Sequence, residues 1–250
     1  MSTRAEFLGR IRAEMAKTPG LFAATPSARP DRPRERLDVL RRELSERWAE
    51  SLARFVREFE RVGGVFHRVA EVAQVPDVIA SIAAERQMRK VVSWHPAALR
   101  LDLAGPLSGR GLQVSAMPGA EVTAAERERL RAVVAAAELG VTGADLAIAE
   151  TGTLVVVSGA GRPRSTSLLP ACHAAVFDRD VLVESLAQSG LVLEAWHDGP
   201  ESDARGAAIN FITGPSRTAD IELTLTRGVH GPKEVHAVFV ENGLAGGSRG

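Results

Sequence analysis

The chain has 250 residues, 45% apolar and 25% charged, ordinary proportions for a protein that buries a sizeable core without staples. Its 31 basic side chains balance 31 acidic ones, which argues against general nucleic-acid binding, since that needs a basic excess. The only cysteine, Cys172, excludes an intramolecular disulfide and a cysteine-ligated iron–sulfur cluster within one chain.

Residues 3–17 read as a short amphipathic helix with Phe7, Leu8, Ile11 and Met15 on one side. Four prolines between 18 and 34 mark a linker. From Glu35 to Val62, large apolar residues recur at steps of three and four, from Leu37 to Phe59. This is the longest helical pattern, ended by Gly63-Gly64. Its aromatic seam suits a helix laid on a sheet better than a coiled coil. Alternating segments follow. Val65–Val69, Lys90–Ser93 and Gln113–Ala116 are predicted strands. Val75–Met88 is a predicted helix, and a Thr123/Glu126 capping box opens another that runs to Leu139. This rhythm predicts a three-layer α/β/α fold with a mostly parallel mixed sheet. The division expected is 1–34 as helix and Pro-rich linker, 35–242 as a single α/β domain, and 243–250 as a flexible tail. No apolar run approaches the roughly 20 residues of a membrane helix, and no signal-peptide core opens the chain. No membrane insertion and a cytoplasmic location are therefore expected.

Leu146–Ala149 and Leu154–Val157 read as strands joined through Glu150, Thr151, Gly152 and Thr153. Glu150 is either a turn carboxylate accepting N–H bonds or a base or nucleophile facing a cleft. Gly159 to Ser167 is a polar loop with Arg162, Arg164, Ser165, Thr166 and Ser167, suited to a phosphate or carboxylate, although it matches no Walker or dinucleotide fingerprint. His173 is a candidate acid or base, against the plainer reading of a satisfied core histidine. Cys172 reads as a small buried side chain. His230 and His236 are too isolated for a metal site, so none is expected.

Ala207–Ile212 reads as a buried strand leading into the polar stretch 213–233. Gly214-Pro215 and Gly231-Pro232 fix its path, and Gly214, Ser216, Arg217, Thr218, His230 and Lys233 suit an anion. Arg217 either binds that anion or pairs with Asp220 or Glu222.

GPSRTADIE followed by GVHGPKEVH resembles the closing motif of the lactate-utilisation protein C family, the LUD-domain proteins. The block from Ala144 to His173 resembles the same family's central motif, within a similar region from about Val65 to Asn242. The resemblance implies a fold similar to the CoA-transferase and ribose-phosphate-isomerase group. It also implies a non-redox role in L-lactate oxidation beside iron–sulfur partner proteins, with no cofactor expected on this chain alone. An alternative is a stand-alone enzyme that binds an acyl-CoA or phosphorylated ligand and uses Glu150. A third is a ligand-sensing module. Self-association stays open. Under these readings Glu150, His173 and His230 are the catalytic candidates, and Thr151, Gly152, Ser165, Thr166, Gly214, Ser216, Arg217, Thr218, Asp220, Glu222 and Lys233 are the ligand-binding ones. Glu150, Ser165, Arg217 and His230 are expected to line one cleft.

Overall fold

The structure, a computed structural model, describes residues 3–17, 30–120, 122–198, 208–219 and 225–244. Most of the Pro-rich linker and most of the Gly-rich tail lie outside these residues.

Helix α1 (Arg4–Ala16) and the kinked α2 (Pro33–Arg61) open the chain. Then come β1 (Val65–Val69), α3 (Val75–Glu85), β2 (Lys90–Ser93), α4 (Pro96–Leu99), α5 (Ala104–Ser108), β3 (Gln113–Ala116), α6 (Ala124–Ala135) and β4 (Leu139–Gly143). The second half holds β5 (Leu146–Ile148), β6 (Thr153–Val157), α7 (Ser165–Leu168), β7 (Cys172–Asp178), β8 (Leu182–Val183) and α8 (Leu186–Trp196). Last come β9 (Ile209–Ile212), β10 (Arg217–Ala219), β11 (Leu225–Arg227) and β12 (Glu234–Val240).

Six strands form a wholly parallel sheet in the order β1-β12-β7-β4-β2-β3. The continuous apolar runs of β4, β7 and β12 explain this, because a parallel sheet is covered on both faces. Ile79 and Ile82 of α3 and Leu107 of α5 pack on one face. Leu52, Phe55 and Phe59 of α2 cover part of the other, and α6 meets it at Val92. A second sheet, β8-β5-β6-β9, holds the antiparallel pairs β5–β6 and β6–β9 and the parallel pair β5–β8, and β10 pairs antiparallel with β11 in a ribbon of its own. Ala147 and Leu154 of the second sheet join the cluster with Phe177 and Phe239. Leu146, Ile148, Val155 and Val157 instead meet α8 and the first half of α2. Helix α2 therefore serves two cores, and its kink at Arg47 separates them.

The predicted α/β class holds, with local corrections. Helix α6 ends at Ala135 rather than Leu139. Glu138 accepts the backbone N–H groups of Arg89 and Lys90, and Leu139 already belongs to β4. Helix α3 stops at Glu85, with Gln87 in the left-handed region. The capping box is present as expected, the Thr123 hydroxyl accepting from Glu126 N–H.

The chain between β6 and β7 crosses the sheet over Gly140, where a side chain would collide with the carbonyl oxygen of Thr166. Gly140→Ala should therefore cost about 1–3 kcal/mol, the usual penalty of overpacking, measured by urea unfolding. An unchanged midpoint would mean that the crossing is not tight.

Candidate functional site

Gly64, Ala171 and Lys233 directly precede β1, β7 and β12, so they mark one edge of the parallel sheet, the amino-terminal one. The 213–233 stretch is built onto this edge around Ser216. Ser216 N–H donates to Pro232 carbonyl at 2.9 Å, and Ser216 carbonyl accepts from Gly228 N–H at 3.1 Å. The Ser216 hydroxyl accepts from His230 N–H at 3.3 Å. Arg217 donates to the carbonyl of Val62 at 2.7 Å, which ties the loop to the C-terminal end of α2. A guanidinium suits that end of a helix, where carbonyls lack intrahelical partners. The side chains of Arg217, His230 and Lys233 are exposed. Thr218 lies on β10, paired with β11. Asp220 and Glu222 lie outside the described residues.

The 150–153 turn reaches the same end of α2. Gly152, with φ of +59°, lies against the backbone of Glu58 and Phe59, a position closed to any side chain. The Thr151, Thr153 and Thr213 hydroxyls form a chain with spacings of 2.7 and 2.8 Å. The carboxylate of Glu150 accepts from Leu186 N–H at 3.0 Å, at the start of α8. Glu150 thus takes the role of a turn carboxylate that accepts a backbone N–H bond, and a carboxylate is favourable at a helix N-terminus.

The 159–163 segment lies at the opposite, carboxyl-terminal edge. His95, just beyond β2, donates its backbone N–H to the Gly161 carbonyl at 2.9 Å. Gly159 and Arg162 exchange backbone hydrogen bonds, so this segment is a closed turn rather than a free loop. Arg162 is pinned: it pairs with the buried Asp145 at 3.0 Å and lies over the Trp94 ring at 5.2 Å. Thr166 is buried in α7. Ser165 lines a cavity that Glu150, Arg217 and His230 do not line. The four were expected together, but they are held by different elements.

That cavity, of about 920 Å³, lies between α6 and the 158–169 segment. Met117, Leu130, Val134 and Leu169 give it an apolar interior, and Arg127, Arg131 and Arg164 line it as well. Arg131 pairs with Glu128 at 2.9 Å in an exposed contact. The side chains of Arg127 and Arg164 make no ion pair among the described residues. An apolar cavity with convergent arginines suits an anion on an apolar body. Sequence reading passed over Arg127 and Arg131, although their spacing of four puts both on one helix face.

His173 sits inside β7, fully buried, its Nε2 at 2.8 Å from the Thr142 hydroxyl. Burial, and then the charge of His236, push its pKa down to about 3. Burial, and then the charge of Glu234, push the Cys172 thiol up to about 12. Both are neutral core groups near pH 7.

The LUD domain family model matches residues 52–240, from the second half of α2 to the last residue of β12. The chain belongs to the LUD domain family. Among its relatives is lactate utilization protein C of Halalkalibacterium halodurans, 35% identical over 172 residues, 69% of this chain and 71% of that one. The protein of that name from Exiguobacterium sp. is 41% identical over 116 residues, 46% and 49% of the two chains. A crystal structure of a DUF162 family protein from Deinococcus radiodurans matches with a TM-score of 0.51 and 19% identity, over 77% of this chain and 98% of that one. That likeness is one of fold. The LUD region contains the whole parallel sheet and both motif blocks, whereas α1 and the first half of α2 fall outside it.

Two predictions follow the buried and exposed charges of this LUD chain. Arg162→Ala removes the ion pair while Asp145 keeps its hydrogen bond from Val157 N–H, and should cost about 1.5–3 kcal/mol, the usual worth of a hydrogen bond to a charged group. Arg164→Ala should stay within about 0.5 kcal/mol of wild type, as surface changes usually do. Equal losses in urea unfolding would contradict this division. For His173, the folded pKa of about 3 lies below the usual 6.5. As pH falls from 6.5 towards 3, the unfolded chain takes up a proton that the folded chain refuses. Stability should therefore drop in that window by up to about 1.4 kcal/mol per pH unit from this residue. His173→Gln should flatten the slope between pH 7 and pH 5, and an identical slope would refute the assignment.

Proposed function

We propose that this chain is a non-redox component of an L-lactate utilisation system, acting in the cytoplasm beside iron–sulfur partner proteins that take the electrons. The observation that carries the reading is the match to proteins named lactate utilization protein C, at 35% identity over 69% of the chain in one case. Chemistry supports the division of labour. Oxidation of lactate to pyruvate releases two electrons, and a chain with one cysteine cannot hold a cysteine-ligated cluster alone.

The anionic ligand of this reading is assigned to the cavity that Arg127, Arg131 and Arg164 line. A three-carbon hydroxy acid would leave most of that volume unfilled, whereas cavities of about 300–1,000 Å³ suit larger ligands. The size therefore favours an acyl-CoA-like or phosphorylated ligand for the cavity, the ligand class of the alternative reading. Glu150 is engaged at the start of α8 and gains no support from it as base or nucleophile.

Deletion of the gene should abolish growth on L-lactate and leave growth on pyruvate intact. The purified chain should be colourless and should not reduce a dye with lactate. Normal growth of the deletion strain on L-lactate would end the proposal. In calorimetric titrations with phosphate, lactate and CoA thioesters, Arg127→Ala or Arg164→Ala should weaken the ligand that binds by about 1.5–3 kcal/mol, the usual worth of a charged hydrogen bond.

A further inference from the structure

A separate group of side chains meets on the α3 side of the parallel sheet, at its amino-terminal edge. Cys172 opens β7 and stands opposite Glu234 in the register with β12. His236, two residues on, shares the face of Glu234. The thiol sulfur, a Glu234 carboxylate oxygen and a His236 ring nitrogen all lie within 4.8 Å of one another. His67 of β1 places its Nε2 2.9 Å from His236 Nδ1. Arg86, at the C-terminal end of α3, donates through Nε to both Glu234 oxygens at 2.9 and 3.0 Å.

We propose that Cys172, Glu234 and His236 form a binding site for a divalent transition-metal ion of the zinc type. One sulfur, one nitrogen and one oxygen donor suit a borderline-soft cation, not the all-oxygen preference of calcium or magnesium. His236 is only 3% exposed, yet its Nε2 has no hydrogen-bond partner. That nitrogen lies 3.6 Å from a Glu234 oxygen, too far for a hydrogen bond. Zinc bonds of about 2.0–2.2 Å at a tetrahedral angle would set the two ligand atoms about 3.3–3.5 Å apart, so a small closure completes the edge. If His236 Nδ1–H donates to His67, the Nε2 lone pair faces a carboxylate, and a cation between them resolves the conflict.

The surroundings fit an outer shell. His67 orients the His236 ring, and Arg86 holds the carboxylate while leaving further lone pairs on its oxygens. The carbonyl end of α3 favours a positive charge nearby. The Glu234 side chain is 33% exposed, which gives an ion a path from solvent. Metal binding displaces the thiol proton, as at any thiolate site. Three protein ligands leave a fourth position for water or a ligand atom.

Cobalt(II) tests the site on the full chain after chelator treatment. Cys172 is the only cysteine, so a thiolate-to-cobalt charge-transfer band reports that residue alone. One equivalent of cobalt should raise the band, and one equivalent of zinc should remove it. Cys172→Ser should abolish it, and His236→Gln should weaken binding at least tenfold. His197→Ala, an exposed histidine on another element, should bind as wild type does. Should Cys172→Ser not fold, Glu234→Gln serves instead, with at least a tenfold loss expected. Absence of the band with saturating cobalt, or unchanged affinity in Glu234→Gln, would overturn the proposal.

Discussion

Strand β12 lies between β1 and β7, pairing in parallel with both, so the last strand of the sheet holds its two flanks together. Its alternation feeds both faces at once. Val235, Ala237 and Phe239 join the cluster with α2, while Val238 and Val240 join the cluster with α3. Phe239 stacks with Trp48 at 5.9 Å and meets Phe177 edge-on at 5.5 Å, and Phe177 meets Phe55 at 5.4 Å. Such aromatic pairs contribute beyond their buried area and fix how α2 lies. Because three strands begin side by side, the segments entering them are gathered on one edge. Ser216, Arg217 and the 150–153 turn are stitched together there through hydrogen bonds and close packing.

The two edges of the sheet divide the polar residues by role. At the amino-terminal edge, the described hydrogen bonds of the GPSR and GVHGPK segments are largely spent on the chain itself. At the other edge, two ion pairs are taken out of water: Arg100 with Asp178, and Arg162 with Asp145, both at 3.0 Å. Asp178 also accepts from Asp180 N–H and Leu244 N–H, and Asp145 from Val157 N–H. Buried pairs of this kind hold geometry more than they add stability, since desolvation offsets their attraction. The Arg162 pair anchors the 158–169 segment, which with α6 encloses the cavity where Arg127 and Arg164 make no ion pair among the described residues. A motif rich in donors thus serves as a clasp, and less conspicuous arginines on a helix and a loop face the open volume.

The α/β class, the capping box, the long helix and the strands β1, β2 and β3 were legible in the sequence, because each rests on local periodicity or a local hydrogen bond. The two motif blocks were legible as well, and with them the LUD family. Roles were not. His173 and Glu150 look alike as ionisable residues beside apolar runs, yet one is sealed against Thr142 and the other meets the first N–H of α8. Arg162 and Arg164 stand two residues apart, and only strand packing decides that one enters a buried pair while the other faces a cavity. Cys172, Glu234 and His236 show no ligand spacing along the chain, since parallel pairing of β7 with β12 creates their proximity. What the sequence determined by itself was therefore what depends on near neighbours along the chain. Tertiary structure alone decided which charges are spent, which are free and which meet, because burial and register are set by residues far apart in sequence.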